Sequence, residues 1–339
     1  MAFIVPLLVA VFLAMNMGGS GTAPAFSAAY GARIIRRETI PFLFGAFVLL
    51  GAVLAGEKVI KTIGGSVLPA DQMNIGVVAI VLLASALSIF AANLLKVPQS
   101  TSQSTIFALV GCAIPLGILE SGKLIYEMIP TWLIMPVISF ILAYGLGYVF
   151  IKAKNKLSGK DFKLLNSSNS KHWKLITIVC SCYVAFSIGS NNVANSAGPI
   201  ASMVINELGN SYAETTIMLL AVMVIAPWFG IGSALFGRGV TKSIGSEIIS
   251  IGVLGATFIS LITATLLLLA STTRGIPTSL VQMNTFAVIA LAILKEGPAN
   301  ILTRLSVVKL FTVWIVAPLI ALALAYLLTI FALYHGLLL

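Results

Sequence analysis

Ten long stretches of this chain carry no Asp, Glu, Lys or Arg: 1–32, 39–56, 72–95, 97–119, 128–151, 175–206, 215–237, 248–273, 275–294 and 310–334. One membrane crossing by a helix takes about 20 apolar residues, with a range of roughly 17–25. Most of the stretches fit that length. Only 9% of the 339 residues are charged and 59% are hydrophobic, against about 25% charged in soluble domains. Such a chain cannot cover itself with a water-compatible surface. Its backbone polar groups must be satisfied internally, in helices. The expected fold is therefore an all-α polytopic membrane protein with the lipid bilayer as its solvent. Two stretches, 1–32 and 175–206, are too long for one straight helix and short for two crossings.

The net charge of +10 reads as a topology signal, with no nucleic-acid partner implied. The linker from Lys152 to Lys174 holds seven lysines and is placed in the cytoplasm. One crossing per stretch then puts 16 of the basic residues inside and four outside: Lys58, Lys61, Lys123 and Arg274. Both termini fall outside. The N-terminus lacks the basic n-region of a cleaved signal, so residues 1–32 are kept as structure. The expected location is the cytoplasmic membrane of the cell, multi-pass.

The remaining chemistry-bearing residues exclude much. Cys112, Cys180 and Cys182 lie in apolar runs, and Cys180 and Cys182, two apart, fall on different helix faces. His172 and His335 flank apolar segments and suit an interface. No paired carboxylates, metal-ligand cluster or nucleophile beside a base stand in the spans, so no enzyme, metal or cofactor is expected.

The chain also repeats itself. "TWLIMPVISFILAYGL" from Thr131 matches "VWIVAPLIALALAYLL" from Val313, aligning Trp132, Pro136 and Tyr144 with Trp314, Pro318 and Tyr326. "GEKVIKTIG" from Gly56 matches "GRGVTKSIG" from Gly237, "VPQSTSQ" from Val97 matches "IPTSLVQ" from Ile276, and "MNMGGSGTAP" from Met15 matches "SNNVANSAGP" from Ser190. The offsets stay between 175 and 182. The expected organisation is a first membrane repeat over 1–151, the basic linker over 152–174 and a second repeat over 175–339. Five spans per repeat is an odd number, so the second repeat enters upside down. Two inverted-topology repeats of about five spans each are an architecture of secondary transporters, with the site near the midplane.

Both 32-residue stretches carry small, polar and helix-breaking residues near their middle. Broken or re-entrant helices there would expose N–H groups and the positive end of a helix dipole to an anion. Candidate ligands in the first repeat are Asn16, Gly18, Gly19 and Ser20, and in the second Asn191, Asn192 and Asn195. "PQSTSQ" and "PTSLVQ" place a proline and hydroxyls at a helix start. They add Ser100, Thr101 and Gln103, and Thr278, Ser279 and Gln282. Leu280 stands where the first repeat has Thr101, so the site is not symmetric.

With these four motifs in order, the whole chain resembles the inorganic phosphate transporter superfamily, whose members carry GANDVAN-type and PVSTTH-type motifs once per repeat. Here they read "GSNNVAN" (Gly189 to Asn195), "AMNMGGS" (Ala14 to Ser20), "PQSTSQ" and "PTSLVQ". The motif aspartate of the family, an expected ligand of phosphate or sodium, is replaced by Met17 and Asn192, and the closing histidine by Gln103 and Gln282. That pattern and the short chain resemble the bacterial sulfate permease branch. Hydrogenphosphate keeps a proton and wants an acceptor, whereas sulfate wants donors only, and a carboxylate would repel it. Asn, Gln, Ser, Thr and backbone N–H donate without negative charge. The expectation is an ion-coupled importer of a tetrahedral oxyanion, sulfate first, with selenate, molybdate and thiosulfate also compatible. The alternatives are a phosphate transporter and, from another class, a passive anion channel. A dianion entering against an inside-negative potential needs a co-transported cation, H+ or Na+, with H+ taken first. Glu57, Glu207 and Glu214 lie near span ends and read as solvated loop charges. A homodimer is compatible with the chain.

Overall fold

The computed structural model describes residues 3–31, 33–95, 99–156, 171–209, 213–240 and 253–338. Most of the basic linker, together with Lys96, Pro98 and Lys242, lies outside the described residues. The first half contains α1 (Ile4–Gly31), α2 (Ile40–Ala55), α3 (Glu57–Gly65), α4 (Ile75–Leu94), α5 (Thr101–Leu116) and α6 (Ile129–Lys156). The second contains α7 (Lys171–Asn192), α8 (Ala194–Leu208), α9 (Glu214–Ile225), α10 (Pro227–Val240), α11 (Val253–Arg274), α12 (Leu280–Glu296), α13 (Pro298–Leu302) and α14 (Leu305–Tyr334). Among the described residues there is no strand.

The chain is a multi-pass membrane protein. Eight helical stretches among the described residues are long and apolar enough to cross a bilayer, where the charge-free stretches count ten. The two that drop out are 97–119 and 275–294. Their helices, α5 and α12, have only 16 and 17 residues. At 1.5 Å per residue they span about 24–26 Å, short of the ~30 Å hydrocarbon core. Gln99 and Ser100 before α5, and Gly275 to Ser279 before α12, are non-helical.

The expected breaks in the two long stretches are much weaker than the sequence suggests. α1 runs unbroken through "MNMGGSGTAP". Its polar side chains turn back on the helix: Asn16 Nδ2 donates to Phe12 O at 2.8 Å, Ser20 Oγ to Met17 O at 3.1 Å and Thr22 Oγ1 to Gly18 O at 2.7 Å. Where no water competes, a helix keeps its ladder even through glycines. Pro24, inside α1, has no N–H to give the Ser20 carbonyl four residues back. Between α7 and α8 the interruption is confined to Val193, whose own φ and ψ (−60°, −33°) are helical.

Glycines let the two halves interlock. A Cβ on Gly232 of α10 would lie 2.0 Å from Met15 O of α1, and one on Gly18 would lie 2.2 Å from Phe229 O. The second crossing is alike: a Cβ on Gly51 of α2 would lie 1.9 Å from Phe186 O of α7, and one on Gly189 would lie 2.0 Å from Val48 O. Other contacts also come in corresponding pairs: α1 on α4 and α7 on α11, α5 on α14 and α12 on α6. A single buried cluster takes residues from both halves, including Leu13, Phe44, Ile63, Leu109, Ile188 and Phe229. The outer faces of α6 and α14 expose Leu133, Ile141, Val149, Ile315 and Leu327, as suits lipid contact.

The loops that the charge count places on one side do meet. Lys58 Nζ donates to Thr273 O at 3.3 Å, Lys123 Nζ to Thr62 Oγ1 at 2.7 Å, and Asn206 Nδ2 to Asp71 O at 2.8 Å.

Candidate functional site

Two helix N-termini from opposite halves converge. Ser100 caps α5 and Ser279 caps α12, each in extended conformation, and each hydroxyl accepts from the backbone N–H three residues on (Gln103 N at 3.3 Å, Gln282 N at 3.2 Å). The cap uses a lone pair and leaves the hydroxyl proton available to a ligand. The N–H groups of Thr101, Ser102, Leu280 and Val281 lie in first turns, where a helix offers them no acceptor. Both dipoles present their positive ends.

The Gln103 and Gln282 side chains hold these ends together. Gln103 Nε2 donates to Gln282 Oε1 at 3.2 Å, and Gln282 Nε2 donates to Gln103 Oε1 at 2.9 Å. Each amide thereby spends its oxygen and one N–H on the other. Trp132 Nε1 of α6 donates to Pro277 O at 2.7 Å, which anchors the extended approach to α12.

A cleft opens beside these N-termini. It is lined by Ser20, Gly21 and Pro24 of α1, Ile188 and Asn192 of α7, Gln99 and Thr101 at the start of α5, and Thr278 to Val281 at the start of α12. It encloses about 320 Å³ of empty volume, counting the part that opens to solvent. Among the described residues, no carboxylate, imidazole, lysine or arginine lines it. Gln99, Thr101, Thr278 and Ser279 are all buried. Among the described residues, neither Gln99 Nε2, Gln99 Oε1 nor Thr278 Oγ1 has a hydrogen-bond partner.

The expected ligands therefore divide. Ser20, Thr101, Asn192, Thr278 and Ser279 line the cleft. Ser100, Gln103 and Gln282 are not among the described lining residues and serve the adjoining helix ends as cap and amide pair. Asn191 is used internally. In the orientation that satisfies its neighbours, the two N–H groups of its Nδ2 have Asn192 Oδ1 (3.2 Å), Ser102 Oγ (3.3 Å) and Thr278 O (3.0 Å) within reach as acceptors, and its Oδ1 accepts from Ser271 Oγ (2.9 Å) and Thr278 N (3.3 Å). It ties α7 to α11, α5 and the approach to α12. Asn195 Nδ2 donates to Ser102 Oγ at 3.3 Å and approaches Met17 Sδ at 3.6 Å. Asn16 faces α4 and accepts from Asn93 Nδ2 through its backbone oxygen at 3.3 Å. Gly18 and Gly19 pack against Phe229 and Phe236 of α10. None of Asn16, Gly18, Gly19, Asn191 and Asn195 is among the lining residues.

Gln99, Pro24, Ile188 and Val281 line the cleft and escape the sequence reading. The signal for Gln99 is present in the repeat, because it aligns with Thr278 at the same offset that aligns Gln103 with Gln282.

A bundle of membrane helices around a buried, uncharged, donor-rich cleft is the arrangement of a small-solute permease. The phosphate transporter family profile matches residues 17–325, and the chain belongs to that family. A sulfate permease of Bacillus subtilis, CysP, is 31% identical over 324 residues, covering 95% of this chain and 86% of that protein. A protein of Methanocaldococcus jannaschii, provisionally named a phosphate permease, is 24% identical over 324 residues, with 94% of each chain covered. The solved structure of a sodium-dependent phosphate transporter superposes with a TM-score of 0.79 at 19% identity, covering 97% of this chain and 98% of that one. The chain is a transmembrane transporter and not an enzyme.

Proposed function

We propose that this transporter imports sulfate across the cytoplasmic membrane by cation symport. The observation that carries the reading is the cleft itself, where two helix N-termini from opposite halves and uncharged donors meet with no carboxylate among the described lining residues. Such a site stabilises a fully deprotonated oxyanion through N–H and O–H groups. It lacks the negative acceptor that would favour hydrogenphosphate over sulfate. The sulfate permease of Bacillus subtilis among its relatives supports the same reading. Phosphate is the second reading, supported by the relatives provisionally named phosphate permeases.

The paired helix contacts support two inverted repeats that move against each other around the cleft. For the cation, H+ is taken first, because no carboxylate stands among the described lining residues to balance a sodium ion. Sodium is the second reading. Pro24 leaves the Ser20 carbonyl without its helical donor beside the cleft, an oxygen of the kind that serves sodium in broken transporter helices.

The test is uptake of radiolabelled sulfate by purified protein in liposomes, with proton and sodium gradients imposed separately and unlabelled phosphate as competitor. Sulfate uptake driven by one gradient and poorly blocked by phosphate is the expected result. Phosphate uptake with no sulfate uptake would overturn it.

A further inference from the structure

The cleft contains one long polar side chain for which the described residues supply no partner. Gln99 is 4% exposed, and neither its Nε2 nor its Oε1 is hydrogen-bonded. Burying a primary amide with both ends unpaired is unfavourable, and native proteins pair such groups as a rule. The amides around the cleft at Gln103, Gln282, Asn191 and Asn195 each use at least one end: Gln103 and Gln282 bond to each other, Asn191 bridges three elements, and Asn195 donates to Ser102 and Met17 although its Oδ1 has no partner among the described residues. Gln99 is the residue before the cap of α5, and Thr278 holds the same place before the cap of α12. Thr278 is also buried, and its Oγ1 is also unpartnered. Both residues line the cleft. The same unsatisfied position thus recurs in both halves, beside the same two helix N-termini.

We infer that Gln99 is a direct ligand of the transported oxyanion, with Thr278 as its counterpart from the second half. The assignment rests on the oxyanion reading of the cleft and names a side chain that sets its selectivity. A carboxamide carries two N–H donors and one acceptor oxygen. Sulfate offers acceptors only, so the amide meets it through nitrogen. An oxyanion that keeps a proton can meet the same side chain through either end. Replacing the amide by a carboxylate removes both donors and adds a negative acceptor. That change repels sulfate and suits hydrogenphosphate.

The experiment compares the parent protein with Gln99→Leu, Gln99→Met and Gln99→Glu, by thermal unfolding in detergent with and without sodium sulfate and by sulfate uptake in liposomes. Gln99→Leu and Gln99→Met should unfold at or above the parent temperature without sulfate, since they remove an unpaired buried amide. They should lose most of the stabilisation by sulfate, and their half-saturation for uptake should rise at least tenfold. Gln99→Glu should lose sulfate uptake and become more sensitive to phosphate as a competitor. A sulfate-induced shift in Gln99→Leu and Gln99→Met equal to the parent's would overturn the assignment, because a merely structural glutamine would leave ligand stabilisation intact. Absence of any sulfate shift in the parent would count against the oxyanion reading itself, a different failure from the first.

Discussion

A carboxamide and a carboxylate have almost the same shape and opposite consequences for an anion. The first donates, and the second repels and can only accept. Asn192 lines the cleft at the end of α7, where the family motif has aspartate. Asn192→Asp should raise the half-saturation for sulfate at least tenfold, which is about 1.4 kcal/mol, while the protein stays folded because the residue is only partly buried. Sulfate uptake kinetics in liposomes would check this, and unchanged kinetics would place Asn192 away from the anion. At this scale the sequence revealed the residue types better than their directions. Gly18 and Gly19 sit in the same motif as Ser20, yet a helix turns about 100° per residue. They therefore face α10 while Ser20 faces the cleft. Asn191 and Asn192 are neighbours in sequence, and one is consumed in holding α7, α11 and α5 together while the other lines the cleft. Periodicity could not separate them, because both belong to a stretch without an amphipathic pattern.

Elements in this molecule are positioned by close approach more than by polarity. In lipid there is no hydrophobic drive between helices, and small residues let backbones approach and gain packing contacts. The α1–α10 and α2–α7 crossings are of this kind, with Gly232 and Gly51 each against a backbone carbonyl of the other helix. These carbonyls cannot swing away as a flexible side-chain end could. Gly232→Ala and Gly51→Ala should each force the crossing apart and lower the unfolding temperature in detergent by several degrees. Gly145→Ala in α6, where an added Cβ meets nothing within 4 Å, should be neutral or raise it, since alanine is the better helix former by about 1 kcal/mol. Equal behaviour of the three variants would mean that the crossings do not hold the halves. Among the described residues eight helical stretches are long and apolar enough to cross, against ten charge-free stretches, because charge-free length includes the non-helical residues before α5 and α12. The hydroxyls at Ser100 and the proline and hydroxyls from Pro277 to Ser279 stand where those helices start, while Pro98 lies outside the described residues. The expected breaks in α1 and at Val193 were overstated, because glycine and asparagine lower helix propensity in water, where the peptide has other partners. Inside this bundle Asn16, Ser20 and Thr22 return their polar groups to the helix itself.

At the scale of the whole molecule, the four motif pairs keep nearly constant offsets along the chain. The paired contacts of corresponding helices follow the same correspondence. What the chain cannot display in its letters is energy coupling, since that depends on which ions move together with the anion. The magnitudes make the question decidable. Moving one negative charge inward against 100 mV, inside negative, costs ~2.3 kcal/mol. Sulfate carries two, so a passive pore would come to rest with roughly 2,000-fold less sulfate inside than outside. Two co-transported monovalent cations cancel that charge. A tenfold inward cation gradient would then allow about 100-fold accumulation, and the limit would not depend on voltage. A third cation would make the limit rise with the potential. The symport reading therefore predicts that liposomes held at −100 mV, with a one-unit proton gradient, accumulate labelled sulfate above the outside concentration. Sodium substituted for the proton gradient should fail to drive it. Sulfate that settles far below the outside concentration under every gradient, and moves only with voltage, would identify an anion channel. The distance between the two outcomes is about five orders of magnitude, so modest leakage in the vesicles would not disguise one as the other.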